Sequence, residues 1–260
     1  MILHSTNGVS PKVSFSEAIA NGIAPDGGLY MPDSLPKLPQ ALFRNIQEMS
    51  LREVGFVVMS TLFADTIPSA KLKAIVDDAL DFEVPLKRLD DTRFVLELFH
   101  GPTNTFKDFG ARFMARLLPV LAPTGEGKQR NIIMATSGDS GGAVANAFSR
   151  SAGTSVIVLF PKGGLTQAEL MRFATLRHVH AIEVDGTFDQ CQAMVKEALR
   201  NDAVKSEQRL TAGNSVNPAR ELPSVIYFFY AYAKAVEATE RRDGIVTVSY
   251  THLRAHETEA

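Results

Sequence analysis

The chain reads Arg93-Phe94-Val95-Leu96-Glu97-Leu98-Phe99 and continues His100-Gly101-Pro102-Thr103-Asn104-Thr105-Phe106-Lys107-Asp108-Phe109-Gly110. The first of these stretches is apolar and partly β-branched, which is typical of a β-strand. Gly101-Pro102 then interrupts the strand pattern, and Asp108 is expected to cap a helix in which apolar residues recur every four positions from Phe109. The stretch therefore predicts a strand that turns into a helix, the unit from which α/β folds are built.

Lys107 lies immediately before this predicted helix. The positive end of a helix dipole disfavours an ammonium group, so a lysine at that place keeps more of the free amine that can attack a carbonyl carbon. A lysine taken at random is more often a solvated surface residue beside a turn. Both interpretations stay open on this stretch alone.

Short apolar stretches alternate with helical ones after residue 93. Strands are predicted at 131–136, 155–160 and 180–185, each followed by a Gly-containing loop and a helical pattern, and a further strand begins at 245–248. Such alternation predicts an α/β fold of parallel strands with flanking helices, with a ligand site at the carboxyl ends of the strands.

Residues 1–90 have a different, mainly helical pattern. Helices are predicted at 51–63 and 69–80, the second with Ser69 as its cap. We therefore expect an N-terminal domain over 1–90, followed by an α/β catalytic region over 91–248.

Composition and charge exclude several classes of protein. The 260 residues are 45% hydrophobic and 22% charged, which is typical of a globular protein, and the formal net charge is only −2. No basic field attracts nucleic acid or an anionic membrane, and no apolar run is long enough to span a bilayer, so we expect neither partner and a cytoplasmic location.

The single cysteine, Cys191, is interpreted as a buried apolar residue, and His178 and His180 lack a third residue at metal-binding spacing.

Two further segments have the residue types of anion sites. Ser137-Gly138-Asp139-Ser140-Gly141-Gly142 separates a predicted strand from a predicted helix at 143–150, so its N–H groups and hydroxyls can converge on a carboxylate. Asn214 and Arg220 flank the start of a predicted helix at 221–238, where a guanidinium can bind phosphate through two N–H groups. The alternatives are an ordinary strand-to-helix turn and an exposed arginine beside a capping asparagine.

Gly138-Asp139-Ser140-Gly141-Gly142 also matches the nucleophile segment of trypsin-like proteases, with Ser140 as nucleophile. That fold is all β and usually rich in disulfides, whereas this chain has one cysteine and an alternating β/α pattern. No histidine segment precedes Ser140 as the protease triad requires. The pattern argues against a protease.

Four segments together resemble the threonine synthase family, pyridoxal-phosphate enzymes of the tryptophan-synthase-β type. The stretch around Lys107 resembles the family's lysine segment, and 137–142 resembles its Thr-Ser-Gly-Asp-Thr-Gly loop, with Ser140 in place of the usual Thr. Asn214-Ser215-Val216-Asn217-Pro218-Ala219-Arg220 is similar to its Asn-Ser-Ile-Asn-x-x-Arg stretch. Val13 to Ala18 and Ala24 to Pro32 are similar to its N-terminal signature.

The resemblance implies a lyase that converts O-phospho-L-homoserine and water to L-threonine and phosphate with pyridoxal 5'-phosphate. Lys107 would be the Schiff-base residue and the base for the carbon-bound protons, and Asp139 would be a second cofactor contact. Substrate contacts would come from Ser137, Gly138 and Ser140 to the carboxylate, and from Asn214 and Arg220 to the phosphate. The alternatives of the same fold are a serine or threonine dehydratase and a phosphoserine-using relative, and a catalytically inactive binding protein is an alternative of another class.

The resemblance also implies that more chain follows residue 248, including a glycine-rich loop for the cofactor phosphate. Residues 249–260 have neither strand nor helix periodicity, and we interpret them as an artefactual tail on a partial copy, with a natural C-terminus as the alternative. The chain as it stands is therefore expected to be inactive. The oligomeric state stays open.

Overall fold

The computed structural model describes residues 1–63 and 66–248. Its first part holds a small antiparallel sheet in the order β2-β1-β3, followed by short helices. Ser14 caps α1 in a reciprocal arrangement with Glu17, and Gly22 ends that helix at a positive φ of 77°. The bounds are β1 Ile2–Ser5, β2 Val13–Ser14, α1 Phe15–Asn21, β3 Tyr30–Pro32, α2 Gln40–Asn45, α3 Leu51–Phe63 and α4 Ser69–Ala79.

Helices α3 and α4 confirm the helices predicted at 51–63 and 69–80. The expected cap is wrong, because Pro68 precedes the helix and Ser69 is its first residue. The division into domains at residue 90 stays a prediction.

The strand predicted at 93–99 is shorter than expected and pairs with a different partner. It forms β5, Phe94–Leu96, which pairs antiparallel with β4, Leu86–Arg88, and not with the parallel strands. The Asp90 carboxylate accepts hydrogen bonds from the N–H groups of Thr92 and Arg93 and so stabilises the turn of this hairpin. Helix α5, Asp108–Leu121, follows, as the sequence predicts.

A four-stranded parallel sheet in the order β8-β7-β6-β9 confirms the predicted α/β fold. Its central strand alternates, with Ile132 and Met134 packed in one apolar cluster with α5 and Ile133 and Ala135 in another with Cys191. Helices therefore cover both faces of the sheet. The bounds are β6 Arg130–Ala135, α6 Asp139–Phe148, β7 Thr154–Pro161, α7 Gln167–Ala174, β8 Val179–Val184, α8 Phe188–Arg200, α9 Asp202–Glu207, β9 Leu210–Ala212, α10 Pro218–Glu221 and α11 Val225–Thr239.

Two predictions near the C-terminus need correction. The helix predicted at 221–238 is divided, because Pro223 lacks an N–H group and a 3-10 turn, Leu222–Ser224, separates α10 from α11. Residues 245–248 form no strand, and Val246 and Val248 are 82% and 65% exposed. The tail at 249–260 lies outside the described residues.

The N-terminal part is fastened to the lysine helix and to the sheet. On α5, Arg112 is buried and donates to the carbonyl oxygens of Asp78 and Ala79 at the end of α4 and to the Asp81 carboxylate. The Thr211 hydroxyl of β9 donates to the Ile19 carbonyl oxygen of α1 at 2.8 Å. These contacts fix the elements that carry the candidate site.

Candidate active site

Lys107 lies where the sequence predicts, immediately before α5. Its side chain is half-buried, its N–H group donates to Thr105 Oγ1 at 3.0 Å, and Nζ lies 5.8 Å from the centre of the Phe106 ring. The lysine is thus held on an ordered turn with its backbone engaged, at the end of the helix where an anion is favoured.

Asp108 does not cap the helix as predicted. It is the first helical residue, is 1% exposed, and directs its carboxylate back to Thr103 in the preceding loop. Burial raises the pKa of the Asp108 carboxyl, and the hydrogen bonds from Thr103 oppose that shift in part. The physical reason is that the N–H group and the hydroxyl of Thr103 each donate to one Asp108 oxygen, so these oxygens face the loop and not the helix start.

The loop at 137–140 lies at the carboxyl end of β6 and leads into α6. Gly138 has a φ of 133°, which favours glycine. The buried hydroxyl oxygen of Thr136 accepts the N–H groups of Gly138 and Gly141, so a residue that the sequence analysis missed shapes the loop. As the first two residues of α6, Asp139 and Ser140 have N–H groups without acceptors inside the helix, and these can bind an anion.

The side chains of this loop differ in exposure. Ser137 and Asp139 are exposed and Ser140 is half-buried. The Asp139 carboxylate lies 3.3 Å from Nη1 of Arg172, an exposed residue of α7. The carboxylate therefore has a partner within the protein.

Asn214 joins two neighbouring strands at their carboxyl ends. Its Nδ2 donates to the Ala135 carbonyl oxygen at 2.9 Å, and its Oδ1 accepts the Ala135 N–H at 3.2 Å. Both atoms of the amide thus fix the end of β6 beside the segment that follows β9. Each keeps capacity for one more partner, because Nδ2 has a second hydrogen and Oδ1 a second lone pair.

Arg220 is a buried cation that lacks a carboxylate partner among the described residues. It is 3% exposed, and its Nη1 donates to the Gly213 carbonyl oxygen at 2.8 Å. Its Nε is buried and has no hydrogen-bond partner in the described part of the chain. Burial lowers the pKa of the Arg220 guanidinium to about 10. A buried, incompletely paired guanidinium is suited to an anionic ligand.

The Arg220 backbone contacts the first turn of the lysine helix. A Cβ atom added to Gly110 would lie 2.2 Å from the Arg220 carbonyl oxygen, so the close approach requires glycine at 110. Gly110 is three residues after Lys107, and Gly213, the partner of Arg220, adjoins Asn214. This series of contacts brings the three sequence-predicted segments, around 107, 137–140 and 214–220, into one region.

Asn217 was missed as a site residue although it lies inside the quoted motif. It is fully buried, its Oδ1 accepts the Ala219 N–H at the start of α10, and its Nδ2 donates to the carbonyl oxygens of Ile19 and Ala212. The Asn-Pro sequence at a helix start was the available signal. Asn217 therefore orients the short helix that carries Arg220.

Other parts of the described structure offer less chemistry. A cavity of about 680 Å³ opens at the amino ends of β6 and β7, away from the loop after β6, and is lined by residues at the end of α5, in the connection to β6 and at the start of β7. In residues 1–63 and 66–248, no group of three or more His, Cys, Asp or Glu could hold a metal ion. None of the helices described here combines the length and apolarity needed to cross a membrane.

Comparison with known families accounts for this arrangement. Residues 84–221 match the model described as pyridoxal-phosphate dependent enzyme, and residues 3–80 match the model described as threonine synthase N terminus. The chain belongs to the pyridoxal-phosphate dependent enzymes. The resemblance to threonine synthase that the motifs indicated is thereby confirmed.

Curated proteins similar to this chain include threonine synthases. The one from Haemophilus influenzae is 37% identical over 247 residues, which cover 95% of this chain and 56% of the relative. The crystal structure of the Escherichia coli enzyme superposes with a TM-score of 0.82 at 34% identity, and a pyridoxal-phosphate-bound threonine synthase from Brucella melitensis with 0.82 at 35%. These structures cover 90% and 93% of this chain, which matches 54% and 53% of theirs. The chain spans about half the length of the curated relatives it matches.

Proposed function

We propose that this chain carries the lysine and the substrate-phosphate site of a threonine synthase, which converts O-phospho-L-homoserine and water to L-threonine and phosphate. The observation that carries the proposal is the buried and incompletely paired guanidinium of Arg220, a residue whose backbone contacts the lysine helix at Gly110. A dehydratase substrate has no phosphate and needs no such second anion site. The Arg220 environment therefore favours a phosphorylated substrate.

The described residues fit pyridoxal phosphate. Lys107 offers a half-buried amine at a helix start, and the helix-start N–H groups of Asp139 and Ser140 offer donors nearby in the fold. When bound, the cofactor supplies an electron sink for the negative charge that forms at the substrate α-carbon. We assign its covalent attachment to Lys107 and a further contact to Asp139.

Each residue then has a separate task. The Lys107 amine removes the proton from the α-carbon and moves protons between carbons as phosphate leaves the γ-carbon and water adds at the β-carbon. Ser137, Gly138 and Ser140 orient the substrate carboxylate. Asn214 and Arg220 bind the phosphate, whose negative charge rises as it departs.

The two-domain division supports the same assignment. The two matched models meet between residues 80 and 84, close to the proposed boundary at 90, and the α/β region at 91–248 holds all the assigned residues. We propose that the substrate is a small molecule and that neither nucleic acid nor a membrane takes part.

The test is formation of threonine and release of phosphate from O-phospho-L-homoserine by the product of the complete gene. Lys107→Ala should abolish turnover, and Lys162→Arg, a substitution of an exposed lysine, should leave it unchanged. Ammonia release from serine or threonine without phosphate release from phosphohomoserine would instead show a dehydratase.

A further inference from the structure

Two buried side chains close the loop that carries Lys107. Thr103 donates to Asp108 twice, from its N–H to Oδ2 at 2.9 Å and from its hydroxyl to Oδ1 at 2.8 Å. Thr103 is 9% exposed and Asp108 is 1% exposed. Both carboxylate oxygens are therefore engaged by one residue five positions earlier, and Lys107 lies within the closed segment.

The rest of the loop is packed closely around this bridge. A Cβ atom added to Gly101 would lie 2.5 Å from Asp108 Oδ2, so the loop approaches the carboxylate at a distance that only glycine allows. The N–H groups of Asn104, Lys107 and Asp108 are also engaged, with Gly101 O at 3.1 Å, Thr105 Oγ1 at 3.0 Å and Thr105 O at 3.2 Å. The backbone on each side of the lysine thus has its partners inside the loop.

A buried carboxylate is costly unless its hydrogen bonds are good, and helix capping does not explain this one because its oxygens face the loop. We propose that Thr103 and Asp108 are positioning residues for Lys107, and that their bridge holds the lysine backbone so that its amine reaches the cofactor carbonyl carbon in one orientation. This inference rests on the proposed attachment of the cofactor to Lys107.

A matched pair of substitutions tests it. Thr103→Ser keeps both donors, whereas Thr103→Val keeps the shape and removes the hydroxyl. Each variant is treated with pyridoxal phosphate and borohydride, and peptide mass spectrometry gives the ratio of label at Lys107 to label at the exposed Lys162. In Thr103→Ser this ratio should stay within about twofold of its value in the unsubstituted chain. In Thr103→Val it should fall about tenfold, because one charge-assisted hydrogen bond is lost.

A second variant covers the case in which Thr103→Val does not fold. Asp108→Asn preserves the shape of the side chain. Both hydrogen bonds with Thr103 survive only if the Thr103 hydroxyl changes from donor to acceptor. The ratio of label at Lys107 to label at Lys162 should therefore fall about threefold. Asp189→Asn, which removes an exposed first-turn acid from α8, should leave the ratio unchanged and so controls for a general loss of helix charge. Thermal unfolding of each variant shows that the labelled protein is folded.

The outcomes separate this inference from the proposed function. The positioning role alone is overturned if a folded Thr103→Val chain keeps its full label on Lys107. It is also overturned if Thr103→Ser and Thr103→Val lower that label equally. If Thr103→Val does not fold and Asp108→Asn does, an unchanged ratio of label at Lys107 to label at Lys162 in Asp108→Asn overturns the positioning role. No label on Lys107 in the unsubstituted chain overturns the proposed function and this inference with it.

Discussion

Asn214 and Ala135 exchange two hydrogen bonds across 79 positions of sequence, Nδ2 to O at 2.9 Å and N to Oδ1 at 3.2 Å. The side-chain amide takes the place of a strand partner beyond the end of β9, so the loop after β6 and the segment that leads to Arg220 form one unit. A change at Asn214 is therefore expected to disturb both.

Asn214→Ala should lower the free energy of unfolding by about 1–3 kcal/mol, because the N–H and C=O groups of the buried Ala135 lose their partners. Urea unfolding at neutral pH measures the change. Asn45→Ala, at an exposed position, is the control and should stay within about 0.5 kcal/mol. Equal effects of the two substitutions would show that the bridge contributes nothing.

Arg220 should make the stability of the chain depend on phosphate. The buried guanidinium is incompletely paired, so an anion that binds it stabilises the folded state by mass action. Inorganic phosphate should raise the unfolding midpoint of the unsubstituted chain and of Arg177→Met, a control at an exposed arginine, but not of Arg220→Met. The same rise in all three proteins would mean that phosphate acts elsewhere.

Asn217 has two tasks that different substitutions separate. Asn217→Asp keeps the oxygen that caps α10 but cannot donate to the Ile19 carbonyl oxygen, whereas Asn217→Ala loses both contacts. Each contact is worth about 1 kcal/mol or more when buried, so alanine should destabilise the chain and also weaken the phosphate effect on unfolding. A phosphate effect that alanine leaves intact would contradict the role of Asn217 in orienting Arg220.

Asp26 should make the N-terminal part sensitive to acid. Its carboxylate accepts hydrogen bonds from the Ser5 hydroxyl and from the N–H groups of Gly28, Ser10 and Val9. The bond from Ser5, followed by those from Gly28 and Ser10, holds the pKa of Asp26 well below its usual value. Because the folded-state pKa is depressed, the stabilisation is present in full above the unfolded-state pKa of about 4 and is lost progressively as the pH falls from there through the folded-state pKa.

Asp26→Asn should therefore destabilise the chain at pH 7, and its difference from the unsubstituted chain should shrink at about pH 3, below the ordinary aspartate pKa. Urea midpoints at the two pH values measure this difference, with the exposed Asp189→Asn as control. A difference that does not change with pH would contradict the assignment.

Much of the fold was predictable from the sequence because its signals are local. The strands β6, β7 and β8 follow from apolar runs between glycine-containing loops, and α5 follows from its four-residue apolar spacing. The three-residue strand β9 was not predicted, because so short a run has no periodicity and is defined by its pairing with β6. The antiparallel pairing of β5 likewise depends on a neighbour that the strand pattern does not reveal.

The candidate site was predictable in its residue types and less so in its geometry. The motifs indicated Lys107, Asn214 and Arg220 as candidates, a prediction that stays open, but they did not indicate the partner of Asn214, which lies 79 positions away. Asp108 was misread as a cap because an acid at a helix start has that role most often, and here Thr103 provides better donors.

The central claim is that Lys107 carries the cofactor, and the map of borohydride-reduced label over all peptides tests it most directly. After treatment with pyridoxal phosphate at low molar excess, the label should lie at Lys107, and Lys107→Arg should abolish it. Label concentrated on Lys162 or on another lysine, or label spread equally over the exposed lysines, would contradict the account.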